Sequence, residues 1–338
     1  PAPKRGDILK IVGDRMLERK DEIAHEMTRE MGKVFAETKG DVQEGIDTAY
    51  YAASEGRRLF GLNAPSELPN KMNLSFRVPI GVGGFITPWN FPMAIPTWKI
   101  FPALVCGNTC VFKPAELTPK TATILVEIID AAMMEVLGKE YIPGVINIVR
   151  GKGRIVREAM ISHPDVDLIS FTGSTEVGKR INEVAGGSLK RVSLELGGKN
   201  AQIVMNDADQ ELALEAVLWG AFGTTGQRCT ATSRLILHKD IYYEFVDKLI
   251  SRVKKLKLGY GNDSGVEVGP CVSESQRESV NEYVKIGMLE DKAVLAAGGD
   301  YAKEGELEKG WFYQPTIFTE VKPGMRIEQE EIFGPVLS

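Results

Sequence analysis

Five short stretches carry residue types whose spacing could do chemistry. In Gly226-Gln227-Arg228-Cys229-Thr230 a thiol follows a glycine-rich turn and sits beside an arginine. The pattern places Cys229 at the start of a helix over 226–235, where free N–H groups and a nearby cation favour the nucleophilic thiolate. An inert core cysteine is the competing reading, and the polar neighbours weigh against it. In Leu194-Glu195-Leu196-Gly197-Gly198-Lys199 a lone carboxylate stands among apolar residues at a strand end. Burial there would raise the pKa of Glu195 towards general-base duty, whereas an ion pair with Lys199 would make it structural. The chain has 3 histidines, none at metal-ligand spacing, so Glu195 is the best base candidate and no metal is expected. In Ile86-Thr87-Pro88-Trp89-Asn90-Phe91-Pro92 two prolines restrict the backbone around Asn90. Its amide is placed to stabilise a developing oxyanion, or simply to serve a turn.

Two further stretches suit a nucleotide. Phe171-Thr172-Gly173-Ser174-Thr175-Glu176-Val177-Gly178-Lys179-Arg180 nearly matches a triphosphatase phosphate loop, but Arg180 stands where Ser or Thr must hold magnesium. That activity is rejected. What survives is a helix start able to bind phosphate, or an ordinary helix start capped by Thr172 or Ser174. Val111-Phe112-Lys113-Pro114-Ala115-Glu116 ends a strand with an ammonium and a carboxylate. Past the carboxyl end of a parallel strand these would hold phosphate and sugar hydroxyls; otherwise they are solvated surface charge.

The elements that must position these groups alternate. Helices are expected over 7–38 and 41–60, then a glycine-punctuated strand over 73–87. Helices over 96–106, 118–137, 153–162 and 175–186 separate strands over 109–113, 145–149, 168–171 and 191–195. Strand–helix alternation implies right-handed crossovers and a parallel sheet covered on both faces. Asn90, Lys113, Glu116, Gly173, Ser174 and Glu195 follow successive strands, so one edge of that sheet gathers them. A second series begins with a strand over 201–204 and a helix over 209–222 capped by Asp207 or Asp209. A strand over 235–237 and a helix over 240–257 follow, and Gly197-Gly198 marks the boundary. Thiol, carboxylate, amide donor and phosphate cradle together suggest covalent acyl chemistry beside a nucleotide cofactor.

Composition narrows the class. The chain has 338 residues, 43% hydrophobic and 26% charged, with a net charge of −5 at pH 7. No basic block suggests nucleic acid or an anionic membrane, and no apolar run is long enough to span one. Four cysteines, irregularly spaced, do not make a disulfide framework. A cytoplasmic protein is expected. The missing initiator Met and an end inside an apparent strand read as a chain cut at both ends.

These motifs, with Glu331-Ile332-Phe333-Gly334-Pro335, resemble the aldehyde dehydrogenase superfamily in order and spacing. The resemblance implies an α/β fold: a Rossmann-like cofactor domain over 1–61 and 80–197, an oligomerisation hairpin over 62–79, and a second α/β catalytic domain over 198–338. It implies NAD(P)-dependent oxidation of a small-molecule aldehyde to an acid. Cys229 would attack, the Asn90 amide and Cys229 N–H would hold the oxyanion, and Glu195 would activate water against the thioester. Lys113 and Glu116 would bind the adenine ribose, Ser174 beside Gly173 the pyrophosphate, and Gly153 and Val177 the adenine. Glu331 and Phe333 would position the nicotinamide ribose and ring, with Ile86, Thr87, Pro88, Trp89, Ala115 and Leu196 also facing the cofactor. Glu116 favours NAD; Lys113 keeps NADP open. Segments 40–44, 54–61 and 65–71 are similar to members oxidising 2-oxoglutarate semialdehyde, with succinate semialdehyde and other small aldehydes as the alternative substrates. A homodimer or homotetramer is expected of the full-length protein. Full-length members extend beyond both ends, so this piece alone is expected to aggregate or be inactive. A CoA-acylating relative and an NAD-binding fragment without turnover are the alternatives.

Overall fold

The computed structural model describes residues 1–338. They form two compact units, Pro1–Glu26 with Lys39–Leu196 and Met27–Thr38 with Gly197–Ser338.

The chain opens with α1 (Ala2–Glu18), α2 (Lys20–Met31) and α3 (Phe35–Glu55). The expected helix over 7–38 is therefore broken twice, at Arg19 and after Met31, where Gly32 takes a φ of 79°. The apolar spacing runs on through both breaks, so periodicity alone does not reveal them. Next come β1 (Asn63–Pro65) and β2 (Met72–Leu74), an antiparallel hairpin with Asn63 opposite Leu74 and every strand residue exposed. The expected strand over 73–87 is divided: β2 ends at Leu74 and β3 starts at Val82. Pro79 has no N–H for a ladder, and Gly81 takes a φ of 135°.

From β3 (Val82–Ile86) the alternation holds. It runs α4 (Ala94–Val105), β4 (Thr109–Lys113), α5 (Pro119–Leu137), β5 (Ile146–Ile148), α6 (Gly153–Ser162), β6 (Leu168–Thr172), α7 (Thr175–Gly186) and β7 (Arg191–Glu195). The five strands are parallel in the order β5-β4-β3-β6-β7. The order reverses at β3, the switch point where open α/β sheets leave a crevice past their carboxyl ends. Ile169 and Phe171 of β6 are buried with Met160 and Ile161 of α6 and Ile181 and Ala185 of α7. This is a Rossmann-like parallel sheet.

The second unit is also α/β. It contains β8 (Asn200–Val204), α8 (Gln210–Phe222), β9 (Thr232–Leu237), α9 (Tyr242–Val253), α10 (Glu274–Leu289), β10 (Val294–Ala297), β11 (Thr316–Thr319), α11 (Arg326–Gln329) and β12 (Val336–Leu337). β8 and β9 pair in parallel; β11 pairs antiparallel with β10 and parallel with β12. The Ser338 N–H donates to Ser233 O at 3.1 Å and the Leu235 N–H to Ser338 O at 2.9 Å, joining the two ladders. Asp209 caps α8, its carboxylate accepting from the N–H groups of Glu211 and Leu212, each at 3.1 Å. The expected helix over 226–235 is absent. A tight turn over Gly223–Gly226 leads through a bend to β9.

Residues 27–38, grouped by sequence with the first domain, pack in this second unit. The Phe35 N–H donates to Gly261 O at 2.9 Å, and a Cβ on Gly261 would collide with Lys33 O. Helical periodicity carries no information about which core a helix end will join.

Candidate active site

In the first unit the carboxyl ends of the strands gather the expected cofactor residues. β3 ends at buried Ile86, and the Thr87 N–H donates to Lys113 O at 3.2 Å, locking β3 to β4. Pro88 and Trp89 are half-buried, and Asn90 is buried on the bend that follows. Lys113 is only 4% exposed, which removes the reading of it as solvated surface charge. Its Nζ donates to Pro114 O at 2.8 Å. Burial pulls its pKa down, and the Glu116 carboxylate opposes that shift. Glu116 is exposed, past half-buried Ala115, and accepts a hydrogen bond from the Gly153 N–H at the start of α6. A Cβ on Gly153 would lie 3.5 Å from Glu116 Oε1 and 3.9 Å from Lys113 Nζ, so the glycine leaves the charge pair uncovered.

Ser174 is the N-cap of α7, its Oγ accepting from the Val177 N–H at 3.4 Å. That bond is long, and the remaining first-turn N–H groups lack helical partners, as at any helix start able to meet an anion. The Gly173 N–H donates to Glu195 O at 3.0 Å, tying β6 to β7. Leu196 lies on α7, where a Cβ on Gly178 would collide with its Cδ2.

Glu195 corrects an expectation. It is exposed at the end of β7, an edge strand whose side chains alternate between exposed and half-buried, so it is not the buried carboxylate its apolar neighbours suggest. Its charged neighbour is Lys99 of α4, which sequence reasoning missed. The Lys99 Nζ donates to Ser170 Oγ at 3.1 Å. Burial pulls Lys99 down to about 8, and the charge of Glu195 opposes the shift. The available signal was a lone cation inside the apolar helix Ala-Ile-Pro-Thr-Trp-Lys-Ile-Phe-Pro-Ala-Leu-Val.

In the second unit Cys229 also departs from expectation. It starts no helix; it lies half-buried on the bend before β9. Thr224 and Thr225 take left-handed backbone (φ 52°, ψ 28° and φ 57°, ψ 33°), and Gly226 follows with a φ of 66°. Left-handed backbone costs a non-glycine residue roughly 1–2 kcal/mol, and β-branched threonine is a poor candidate for it. Surrounding bonds hold the strain in place. Thr225 Oγ1 donates to Gly269 O at 2.9 Å, and Gln227 Oε1 accepts from the Val272 N–H at 2.9 Å. The buried Arg228 guanidinium donates to Trp219 O at 2.5 Å and Gly220 O at 3.1 Å, and stacks 4.1 Å from the Trp219 ring. Asn200 Nδ2 donates to Cys229 O at 2.6 Å and Ala231 O at 3.1 Å. Asn200 directly follows the Glu195 motif, yet nothing in the local sequence marks its role.

Glu331 is half-buried, and its carboxylate accepts from the Gly198 N–H. Burial raises its pKa, opposed by that hydrogen bond and by the charge of Lys199. A Cβ on Gly197 would collide with Glu331 Oε2, so this glycine is what admits the carboxylate. Lys199 is pulled down to about 8, mainly by burial and then by Arg234, with Glu331, Glu328 and Glu330 opposing. Phe333 holds a left-handed φ of 56°, and its carbonyl accepts from Gln276 Nε2 at 2.9 Å.

A family model described as the aldehyde dehydrogenase family matches residues 1–338. An alpha-ketoglutarate semialdehyde dehydrogenase of Haloferax volcanii is 43% identical, the match covering 100% of this chain and 68% of that protein. A 2,5-dioxopentanoate dehydrogenase of Saccharolobus solfataricus is 44% identical over 100% of this chain and 68% of its own. Among solved structures, a Staphylococcus aureus betaine aldehyde dehydrogenase in complex with NAD+ superimposes with a TM-score of 0.96 at 36% identity, covering 100% of this chain and 65% of that one. The chain thus spans about two thirds of the length of the relatives it matches.

Proposed function

The chain belongs to the aldehyde dehydrogenase family, and on that footing we propose that it carries the chemistry of an NAD-dependent oxidation of an aldehyde to a carboxylic acid. The observation that carries the reading is the loop before Cys229. Thr224, Thr225, Gln227 and Arg228 are buried and bonded, and Cys229 is the first residue after them to reach partial exposure. A strained, over-determined loop ending in a half-buried cysteine is what a positioned nucleophile needs.

The Cys229 thiolate adds to the aldehyde carbon, and the carbonyl oxygen becomes an oxyanion. By the family resemblance the Asn90 amide and the Cys229 N–H would donate to that oxyanion. Bound NAD would supply the hydride acceptor; the carbonyl re-forms as the hydride leaves, and the acyl group stays on the Cys229 sulfur as a thioester. Glu195 takes a proton from water as the water oxygen attacks the thioester. The carbon–sulfur bond breaks, and the acid leaves with the thiolate restored. The exposure of Glu195 suits contact with water.

The donor set at the ends of β4, α6 and α7 fits a dinucleotide. Lys113 and Glu116 offer one donor and one acceptor to a ribose diol, beside the gap left by Gly153. Ser174 and the start of α7 suit the pyrophosphate. By the family resemblance Val177 would line the adenine side, and Ile86, Thr87, Pro88, Trp89, Ala115, Gly173 and Leu196 would border the cofactor. By the same resemblance Glu331 and Phe333 would position the nicotinamide ribose and ring. Glu116 would repel a 2′-phosphate, so NAD is favoured over NADP. The relatives' names support 2-oxoglutarate semialdehyde as substrate. The exposed hairpin supports a homo-oligomer, and Cys106, Cys110, Cys229 and Cys271, none of them in a disulfide, fit a reducing, cytoplasmic setting.

Single-turnover absorbance decides the reading. Mixing protein with NAD and 2-oxoglutarate semialdehyde should give an NADH burst that Cys229→Ala abolishes, an outcome that would also overturn the expectation that this piece alone is inactive. A burst that survives in Cys229→Ala removes the thiol from the mechanism; cofactor binding with no burst supports a binding fragment without turnover.

A further inference from the structure

We propose that Glu37, in the first turn of α3, is a positioning residue for the nucleophile: its carboxylate fixes the backbone of the Cys229 loop. The proposal rests on the reading of Cys229 given above. Both Glu37 oxygens accept from the Thr224 N–H, at 2.8 and 3.0 Å, across 187 positions of sequence. Thr224 is the first of the left-handed residues, and its N–H has no regular ladder to join. Arg228 and Lys33 supply the positive charge facing the carboxylate. A Cβ on Gly223 would sit 2.9 Å from Arg228 Nη2 and 3.0 Å from Glu37 Oε1, so that glycine lets carboxylate and guanidinium close on the turn together.

The carboxylate is itself anchored. Its segment is tied down by the Phe35 N–H on Gly261 O at 2.9 Å and by the contact between the Thr28 and Thr38 hydroxyls at 2.9 Å. At its far end Arg228 is fixed on the last turn of α8 through Trp219 and Gly220, and Cys229 is the next residue along the chain. The line of force runs from a helix start to a strained turn to the thiol. Asn200 holds the Cys229 carbonyl from the other side. Glu37 touches no reacting atom; it sets where the thiol stands.

The test compares Glu37→Gln, Glu37→Ala and the unaltered full chain, with Cys229→Ala alongside. The readouts are kcat and KM for NAD, thermal melting, and the rate at which iodoacetamide alkylates each cysteine, resolved by peptide mass. Glu37→Gln keeps an acceptor for the Thr224 N–H and should lose about tenfold in kcat; Glu37→Ala keeps neither acceptor nor charge and should lose about a hundredfold. KM for NAD should stay within about twofold, because cofactor binding and thiol placement draw on different residues. Cys229 alkylation should change by at least about tenfold while half-buried Cys106 keeps its rate. Unchanged kcat and unchanged Cys229 alkylation in Glu37→Ala would overturn the proposal. So would a loss in which Cys106, Cys110, Cys229 and Cys271 all become reactive, the sign of a merely structural role. If Glu37→Ala does not fold, Glu37→Gln decides alone: native Cys229 alkylation and kcat refute the proposal. Should Cys229→Ala retain turnover, the nucleophile reading fails, and the alkylation rates still judge the placement of the thiol.

Discussion

Lys99 and Glu116 show how differently two charged residues can be set by their surroundings. Lys99 lies inside an apolar helix, and burial brings its pKa to about 8 against the opposing charge of Glu195. A depressed ammonium pKa means the charge is present below about pH 8 and is shed above it. Lys99→Met should therefore lower kcat by roughly tenfold at pH 7, with the gap to the unaltered protein closing as pH rises past 8. A pH–rate profile of both proteins checks this; a gap that is constant with pH would detach Lys99 from the Glu195 step. Glu116 sits exposed at the sheet end, where its value is as an acceptor. Glu116→Gln should raise KM for NAD by about 10–100-fold, the worth of a hydrogen bond to a charged group, and should narrow the preference over NADP. Steady-state kinetics with each cofactor measures both. Lys113, Glu116 and Gly153 are legible in the sequence because each follows a strand or opens a helix, and topology then brings such positions together. Glu37 is not, because its partner lies 187 positions away and no local pattern marks it.

At the scale of the element, the turn before Cys229 is where local preference and structure disagree. Residue type and spacing pick out Cys229, but the helix expected to activate it does not exist. The loop instead rests on tertiary bonds to Gly269 and Val272, 44 and 45 positions away, and on the Arg228 bonds to Trp219 and Gly220 of α8, which no local pattern marks. Gly226 is the test of that geometry. It has a left-handed φ of 66°, and a Cβ there would collide with Gly334 O. Gly226→Ala should cost about 3 kcal/mol, combining left-handed strain with overpacking. Gly40 lies inside α3, with open space for 4 Å around the point where a Cβ would stand. Gly40→Ala should instead stabilise by about 0.5–1 kcal/mol, through lost freedom in the unfolded chain and better helix propensity. Urea unfolding of the two variants should move in opposite directions. The parallel sheet is readable because strand and helix alternate from β3 to β7 with short connections. The hairpin's separation from β3 is less so, since Leu74, Phe76 and Val78 look like a continuing strand until Pro79 and Gly81 are weighed.

At the scale of the molecule, the hairpin is an unfinished surface. Leu62, Met72, Phe76 and Val78 are each at least 74% exposed. A two-stranded ribbon is marginal alone, and large apolar side chains this exposed make it the candidate interface. The protein should run as an oligomer by light scattering, and Met72→Lys with Phe76→Lys should shift its mass towards the monomer while unit melting stays near its original value. An unchanged mass would assign association to another surface.

The path of the chain has a consequence for its synthesis. The backbone leaves the first unit after Glu26, returns at Lys39 and leaves again after Leu196. Residues 27–38 therefore emerge from the ribosome long before Thr224 and Gly261, the groups that will receive Glu37 and Phe35. During that interval the second unit has its opening strip and no body to attach it to. Loop-closure entropy must be met across that whole separation before the strip docks, so this step should be late and slow. A nascent chain stalled before residue 224 would hold a complete parallel sheet and a dangling helix junction. The geometry around the thiol would then be among the last features of the protein to form, keeping Cys229 without its fixed setting until the rest of its unit has been made.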